Sequence, residues 1–190
     1  MGMRAGDALL IVDVQNDFCP GGALAVPEGD RVVPVLNQWI AEAQVKAVVI
    51  FASRDWHPPN HISFKERGGP WPPHCIQETS GAAFHPDLRL PPGAAIISKA
   101  QTPDQDSYSA FGGTDLAGRL RGAGVQRVWI GGLALDYCVR ASALDAMRDG
   151  FEAHLIVDAT RAVNVNPGDG QKALDDIRQA GGILEETTAR

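Results

Sequence analysis

Val128-Trp129-Ile130-Gly131-Gly132-Leu133-Ala134-Leu135-Asp136-Tyr137-Cys138-Val139 reads as a strand, a tight glycine-bearing turn and the start of a helix. The apolar opening is short, Gly131-Gly132 interrupts it, and Val139, Ala143, Leu144 and Met147 then recur at helical spacing as far as Gly150. Other apolar runs alternate with helical patterns in the same way. Leu9-Leu10-Ile11-Val12 lies in a strand expected over 8–14, with Asp13 at its carboxyl end. Val48 to Ala52 leads into Ser53-Arg54-Asp55-Trp56-His57, Ile96-Ile97 into Ser98-Lys99, and Leu155-Ile156-Val157 into Asp158. Ile183-Leu184 suits an edge strand. Amphipathic helices are expected over 31–43, from Thr114 or Asp115 to Gly122 or Gly124, and over 169–180 with Gly181 as the stop. The first of these starts awkwardly: Asp30 suits a cap, but Pro34 then falls one step too far in. Continuous apolar runs imply strands buried on both faces, as in a parallel sheet. The expected fold is therefore α/β and doubly wound: a mainly parallel sheet of five to six strands with helices on both faces, in a single three-layer domain over residues 1–190.

The totals narrow the function classes. A chain of 190 residues is long enough for one full core, and 44% hydrophobic content is ordinary for a globular protein. The net charge of −6 speaks against a nucleic-acid partner. No apolar stretch approaches membrane-spanning length, and Asp7 and Asp13 interrupt any signal-peptide core. Three cysteines, Cys19, Cys75 and Cys138, are an odd number without framework spacing, which suits a reducing cytoplasm. Gly168-Asp169-Gly170 is neither a Walker loop nor a dinucleotide fingerprint.

In open α/β sheets, ligands bind outside the carboxyl ends of the strands. Asp13, Asp55 with His57, Lys99 and Cys138 each follow a different apolar run, so parallel strands gather them on one edge. Cys138 falls in the first turn of its helix, where free N–H groups and the helix dipole favour a thiolate. A thiol attacking a carbonyl needs a base, and Asp13 suits that task, with Lys99 holding it ionised and lowering the thiol pKa. The competing reading is a buried Asp–Lys pair that ties strands together, beside a cysteine that only packs.

A second set is Asp55, His57, His61 and His74. Asp-x-His places two ligand types on one side of an extended segment, and His74 returns from Trp71-Pro72-Pro73-His74-Cys75. Carboxylate and imidazole together suit one divalent transition metal ion: zinc, iron or manganese. Two ligands plus one distant histidine leave open positions, with His61 either a fourth ligand or part of the pocket lining. Loop histidines are also often merely solvated, and four of the five here lie between His57 and His85. Cys75 has no Cys-x-x-Cys partner, and His85 and His154 are read as structural. Phe18, Trp71 and Tyr108, in three loops around the same edge, suit stacking on a flat ring or simple loop packing.

With these residues in hand, the chain resembles the nicotinamidases of the isochorismatase-like cysteine hydrolase superfamily. The resemblance rests on Ile11-Val12-Asp13-Val14-Gln15-Asn16-Asp17-Phe18-Cys19 with Gly21-Gly22-Ala23-Leu24, on Asp55-Trp56-His57-Pro58, on Trp71-Pro72-Pro73-His74-Cys75, and on Gly132 to Val139. It implies Asp13, Lys99 and Cys138 as the catalytic triad and Asp55, His57 and His74 as metal ligands, with His61 a fourth in some relatives. It also implies a cis Leu133–Ala134 peptide, an oxyanion hole from the Ala134 and Cys138 N–H groups, and a substrate pocket of Phe18, Trp71, Tyr108, Leu133 and Ala134. The implied reaction is hydrolysis of nicotinamide to nicotinate and ammonia through a cysteine thioester, with pyrazinamide a further substrate, in the cytoplasm. Oligomeric state stays open, a homo-oligomer included. Leu135 departs from the family pattern, where a small polar residue is frequent. Two alternatives are another hydrolase of the superfamily, acting on isochorismate or on a ureide or carbamoyl amide, and a non-catalytic metal-binding or redox-sensing protein. The oxyanion assignment carries a condition. Asp136 is a natural cap for the Cys138 N–H, so its side chain is expected to bond elsewhere.

Overall fold

Strand β1, Ala8–Val12, is buried along its whole length, as a run of five apolar residues requires. It lies at the centre of a six-stranded parallel sheet. The other strands are β2 (Val49–Asp55), β3 (Ala95–Lys99), β4 (Arg127–Leu133), β5 (Glu152–Arg161) and β6 (Ile183–Glu185). Their order is β3-β2-β1-β4-β5-β6. The chain runs outward from β1 to β3, then crosses back to lay β4 on the other side of β1. This computed structural model describes residues 2–187, so residue 1 and residues 188–190, the ends of the expected single domain, lie outside it.

Period-two alternation along β1 divides the core. Leu9 and Ile11 pack with Leu36, Trp39 and Ile40 of helix α1 (Val32–Val45). Leu10 and Val12 face the other way, toward helices α2 (Leu116–Gly122), α3 (Arg140–Arg148) and α4 (Asp169–Gln179), which contribute Leu116, Leu120, Ala143, Ala146, Ala173 and Ile177. Under α1, Trp39 packs on Trp129 with ring centroids 5.2 Å apart, and the His154 ring stacks on the other side of Trp129 at 4.2 Å. His154 is held by Glu152 and Glu185, the structural role expected of it. Among the described residues no helix is long and apolar enough to cross a membrane.

The structure departs from the expected elements in several places: β4 runs through Gly131-Gly132, expected as a turn, and β5 runs past Asp158 to Arg161. A short 3-10 turn, Gly29–Arg31, precedes α1, so the helix begins at Val32 and Pro34 falls in its first turn. There N–H groups lack an intrahelical acceptor anyway, and proline costs little. Strand β1 ends at Val12, two residues early, because Asp13 adopts φ 48°. The helix after β4 opens as a wide π turn over Leu135–Val139, with α3 proper starting at Arg140.

Gly132 pairs with Val12 across the β1–β4 seam. Its φ is +126°, and a Cβ placed there would lie 2.0 Å from the Val12 carbonyl oxygen. Gly132→Ala is therefore expected to cost at least about 2 kcal/mol in urea unfolding. Gly118, exposed inside α2 with nothing within 4 Å of a built Cβ, should respond oppositely, Gly118→Ala stabilising by about 0.5–1 kcal/mol.

Candidate active site

The carboxyl ends of four adjacent strands deliver the site. Asp13 follows β1, Asp55 closes β2, Lys99 closes β3 opposite Asp55 in register, and Cys138 lies in the turn after β4. The Lys99 ammonium is buried and reaches all three partners. It bonds Asp55 Oδ1 at short range, lies 3.0 Å from Asp13 Oδ2 and 3.5 Å from Cys138 Sγ, and donates to the Ser107 carbonyl at 3.2 Å. Asp13 Oδ1 accepts the Ser53 hydroxyl at 2.7 Å. The approach of Lys99 to Asp13 Oδ2 is an ion pair outside hydrogen-bonding direction, so that oxygen keeps a lone pair open. Cys138 Sγ lies within 4.8 Å of a carboxylate oxygen of both Asp13 and Asp55.

Burial and neighbours sort the protons. Burial pushes the Cys138 thiol well above its ordinary pKa, Lys99 opposes this, and Asp13 and Asp55 add to the rise. The resting group is thus a thiol, which corrects the thiolate expected from the helix terminus: the dipole does not outweigh burial beside two carboxylates. Burial also raises Asp13, against the pull of Lys99. For Asp55, burial acts upward too, but Lys99 outweighs it and holds the carboxyl well below the usual range. Lys99 would be lowered by burial, but Asp13 and Asp55 hold it well above the ordinary lysine value. An ionised Asp13 next to a protonated thiol is a base beside its proton donor.

The π turn prepares the main chain around Cys138. The Ala134 carbonyl accepts the N–H groups of Tyr137 and Val139, each at 3.1 Å, and passes over that of Cys138 between them. The Leu133–Ala134 peptide is cis. Asp136 turns away as expected, its carboxylate accepting the Val163 and Asn164 N–H groups at 2.9 and 2.8 Å.

On the other side of Asp55, Oδ2 lies 3.5 Å from His57 Nε2 and 3.9 Å from His74 Nε2. His57 Nδ1 faces the Ala100 carbonyl at 3.2 Å and His74 Nδ1 faces the Pro72 carbonyl at 2.8 Å. A carbonyl only accepts, so both Nδ1 atoms carry the proton and both Nε2 lone pairs are bare. Two imidazoles and a carboxylate, oriented by outer carbonyls, suit a divalent metal ion. His61 does not join them. Its Nε2 donates to the Gln105 carbonyl at 2.9 Å, and its bare Nδ1 accepts the Ser63 hydroxyl at 2.7 Å. The fourth-ligand expectation is corrected accordingly: His61 stacks on His57, ring centroids 4.1 Å apart, with both nitrogens engaged elsewhere. Asp13, Asp55 and Cys138 also converge, but the Lys99 ammonium takes the place of a cation there.

A cleft joins the thiol to this donor set. Phe18, Trp71, Tyr108 and Ala134 line it, as expected. Leu133 does not; it is fully buried in the core, which corrects its assignment to the pocket. Tyr137 is one of the lining residues that the sequence reading passed over, along with Leu24, Val26 and Val163. Its ring stands edge-on to Trp71 at 5.1 Å and beside Tyr108 at 5.4 Å, while the Trp71 indole N–H donates to Tyr108 Oη at 3.1 Å. Its place next to Cys138 was the available signal. Ser53 was missed as well, although it lies two residues before Asp55 and so on the same face of β2.

The family model for the Isochorismatase domain matches residues 7–189. A nicotinamidase of Escherichia coli K12 is 41% identical, the match covering 93% of each chain. Among solved structures, a pyrazinamidase of Pyrococcus horikoshii in complex with zinc is 52% identical with a TM-score of 0.92, covering 96% of this chain and 99% of its own. An L. infantum protein crystallised with nicotinate is 38% identical with a TM-score of 0.86, covering 95% of this chain and 92% of its own.

The lone-pair arrangement separates the histidines by experiment. In equilibrium dialysis, His74→Ala is expected to lose stoichiometric zinc binding. His61→Ala should keep it, weakened at most roughly 10-fold through the lost ring contact with His57.

Proposed function

The chain belongs to the isochorismatase family, and within it we propose that this chain acts as a nicotinamidase, hydrolysing nicotinamide, and also pyrazinamide, to the carboxylate and ammonia. The observation that carries this reading is the contact of Lys99 with Asp13, Asp55 and the Cys138 thiol, beside two bare imidazole nitrogens in one aromatic-lined cleft. In this reading the catalytic triad is Asp13, Lys99 and Cys138, within a single domain over residues 1–190. Phe18, Trp71, Tyr108 and Tyr137 hold the flat ring.

Asp13 takes the thiol proton as Cys138 Sγ attacks the carboxamide carbon. Lys99 holds the positive charge beside both groups throughout. The backbone N–H groups of Ala134 and Cys138 receive the developing oxyanion. When the tetrahedral species collapses, Asp13 returns the proton to the departing ammonia and a thioester remains on Cys138. Water then attacks that thioester and gives a proton to Asp13. The acid product leaves and gives its own proton to solvent, becoming the carboxylate, and the proton on Asp13 returns to the Cys138 sulfur. Asp55, His57 and His74 would hold a divalent ion, zinc or alternatively iron or manganese. Bound there, such an ion supplies Lewis-acid attraction for the pyridine nitrogen. The three free cysteines accord with action in the cytoplasm.

Ammonia release from nicotinamide tests the reading directly. A well-folded, zinc-loaded chain that releases none would instead be another hydrolase of the family, acting on isochorismate or on a ureide or carbamoyl amide, or a non-catalytic metal-binding or redox-sensing protein. Cys138→Ala should lower kcat by roughly 10,000-fold or more, since members of a catalytic unit fail together. The pH profile of kcat/KM should fall toward acid as Asp13 protonates. Because burial raises Asp13, that limb should lie above the ordinary carboxylate range.

A further inference from the structure

Gln15 lies fully buried just beyond β1, and the reaction described above makes no use of it. Its amide makes three hydrogen bonds. Oε1 accepts the Asp55 N–H at 2.8 Å, and Nε2 donates to the Asp55 carbonyl at 2.8 Å and to the Ala82 carbonyl at 2.9 Å. These bonds stand where the sheet gives out. Strands β1 and β2 pair as far as Val12 and Ser53, and the Asp13 N–H still reaches the Ser53 carbonyl at 3.1 Å. The chain then turns off through the left-handed Asp13, leaving Asp55 beyond the last rung. The Gln15 amide replaces the missing strand by satisfying both main-chain groups of Asp55 at once.

What hangs on that peptide is unusual for a buried amide to support. The two carboxylate oxygens of Asp55 have separate duties: Oδ1 bonds Lys99, and Oδ2 faces the bare Nε2 atoms of His57 and His74. A rotation of the Asp55 main chain would disturb both. The bond to Ala82 extends the same hold to the segment that follows His74. Two residues after Gln15, Asp17 Oδ2 accepts the N–H of Cys75, the neighbour of His74, at 2.7 Å. We propose that Gln15 is a positioning residue for the metal donor set, its side-chain amide fixing the Asp55 peptide so that one carboxylate serves Lys99 and the histidine pair together. This rests on the reading of Asp55, His57 and His74 as metal ligands.

The test compares zinc affinity, from competition with a chromophoric chelator, with thermal stability in the full chain. Gln15→Met removes the amide at similar volume. The folded variant is expected to bind zinc roughly 10- to 100-fold more weakly than wild type, the usual effect of losing an outer-shell partner, with a matching fall in kcat/KM. The control is Asp7→Asn at the amino end of the sheet, where Asp7 accepts bonds from Arg127 and Trp129. It should lower Tm and leave zinc affinity unchanged. If Gln15→Met lowers Tm and keeps wild-type zinc affinity, the amide merely supports the fold and the proposal is overturned. Should Gln15→Met fail to fold, Gln15→Glu decides on the same criterion, since it keeps an acceptor for the Asp55 N–H but sets a carboxylate against two carbonyls. Wild-type zinc affinity in His57→Ala would overturn the metal reading itself, an outcome separate from any result at Gln15.

Discussion

An ammonium group with no access to water must find its counter-charge inside the protein, and Lys99 finds two, one on the neighbouring strand β2 and one just past the end of β1 beyond it. Desolvating each of these ions costs several kcal/mol, and only close mutual approach offsets it. The ends of β1, β2 and β3 are therefore constrained together: any slip of register strands a buried charge. The cluster carries one more carboxylate than ammonium. The surplus negative charge lies on Asp55 next to two unprotonated imidazole nitrogens, the place where an added cation would be drawn.

Asp13 and Asp55 show how one residue type is given two tasks. Both are buried, both touch Lys99, and burial raises both. The Lys99 ammonium bonds Asp55 directly, and this contact commits it to the charged form. Asp13 has a serine hydroxyl and an oxygen left open, so it remains able to take up a proton. Titratable neighbours pushed in opposite directions mark out a site where proton transfer is the business of one and charge the business of the other. Cys138 fits the same scheme. Its sulfur is kept protonated by its surroundings and so depends on a base.

Much of this was legible because each polar group ends an apolar run. Asp13, Asp55, Lys99 and Cys138 follow Leu9 to Val12, Val48 to Ala52, Ile96-Ile97 and Val128 to Ile130, and a parallel sheet leaves such residues on one edge. What was hidden depends on the third dimension of the loops. Which nitrogen of His61 is bare follows from a carbonyl of Gln105, far along the chain. Leu133 was a pocket residue by the resemblance, yet the chain sends it into the core. The π turn was read as an ordinary helix because its apolar spacing continues smoothly into α3. The start of α1 was misjudged for want of the 3-10 turn that moves Pro34 into a tolerant position.

The charged cluster around Lys99 is not local. Lys99 meets Asp55 across 44 residues of chain and Cys138 across 39, and Gln15 reaches Asp55 across 40. Parallel strands cannot be joined by hairpins, so each of these meetings waits for a crossover to close. Chains dominated by such distant contacts tend to fold slowly, because loop entropy is lost before the contacts repay it. The chemistry accordingly has no partial form: no fragment or half-assembled sheet brings thiol, base and ammonium together. Catalytic competence in this chain is a property of the finished topology, and its appearance during refolding would time the closing of the sheet.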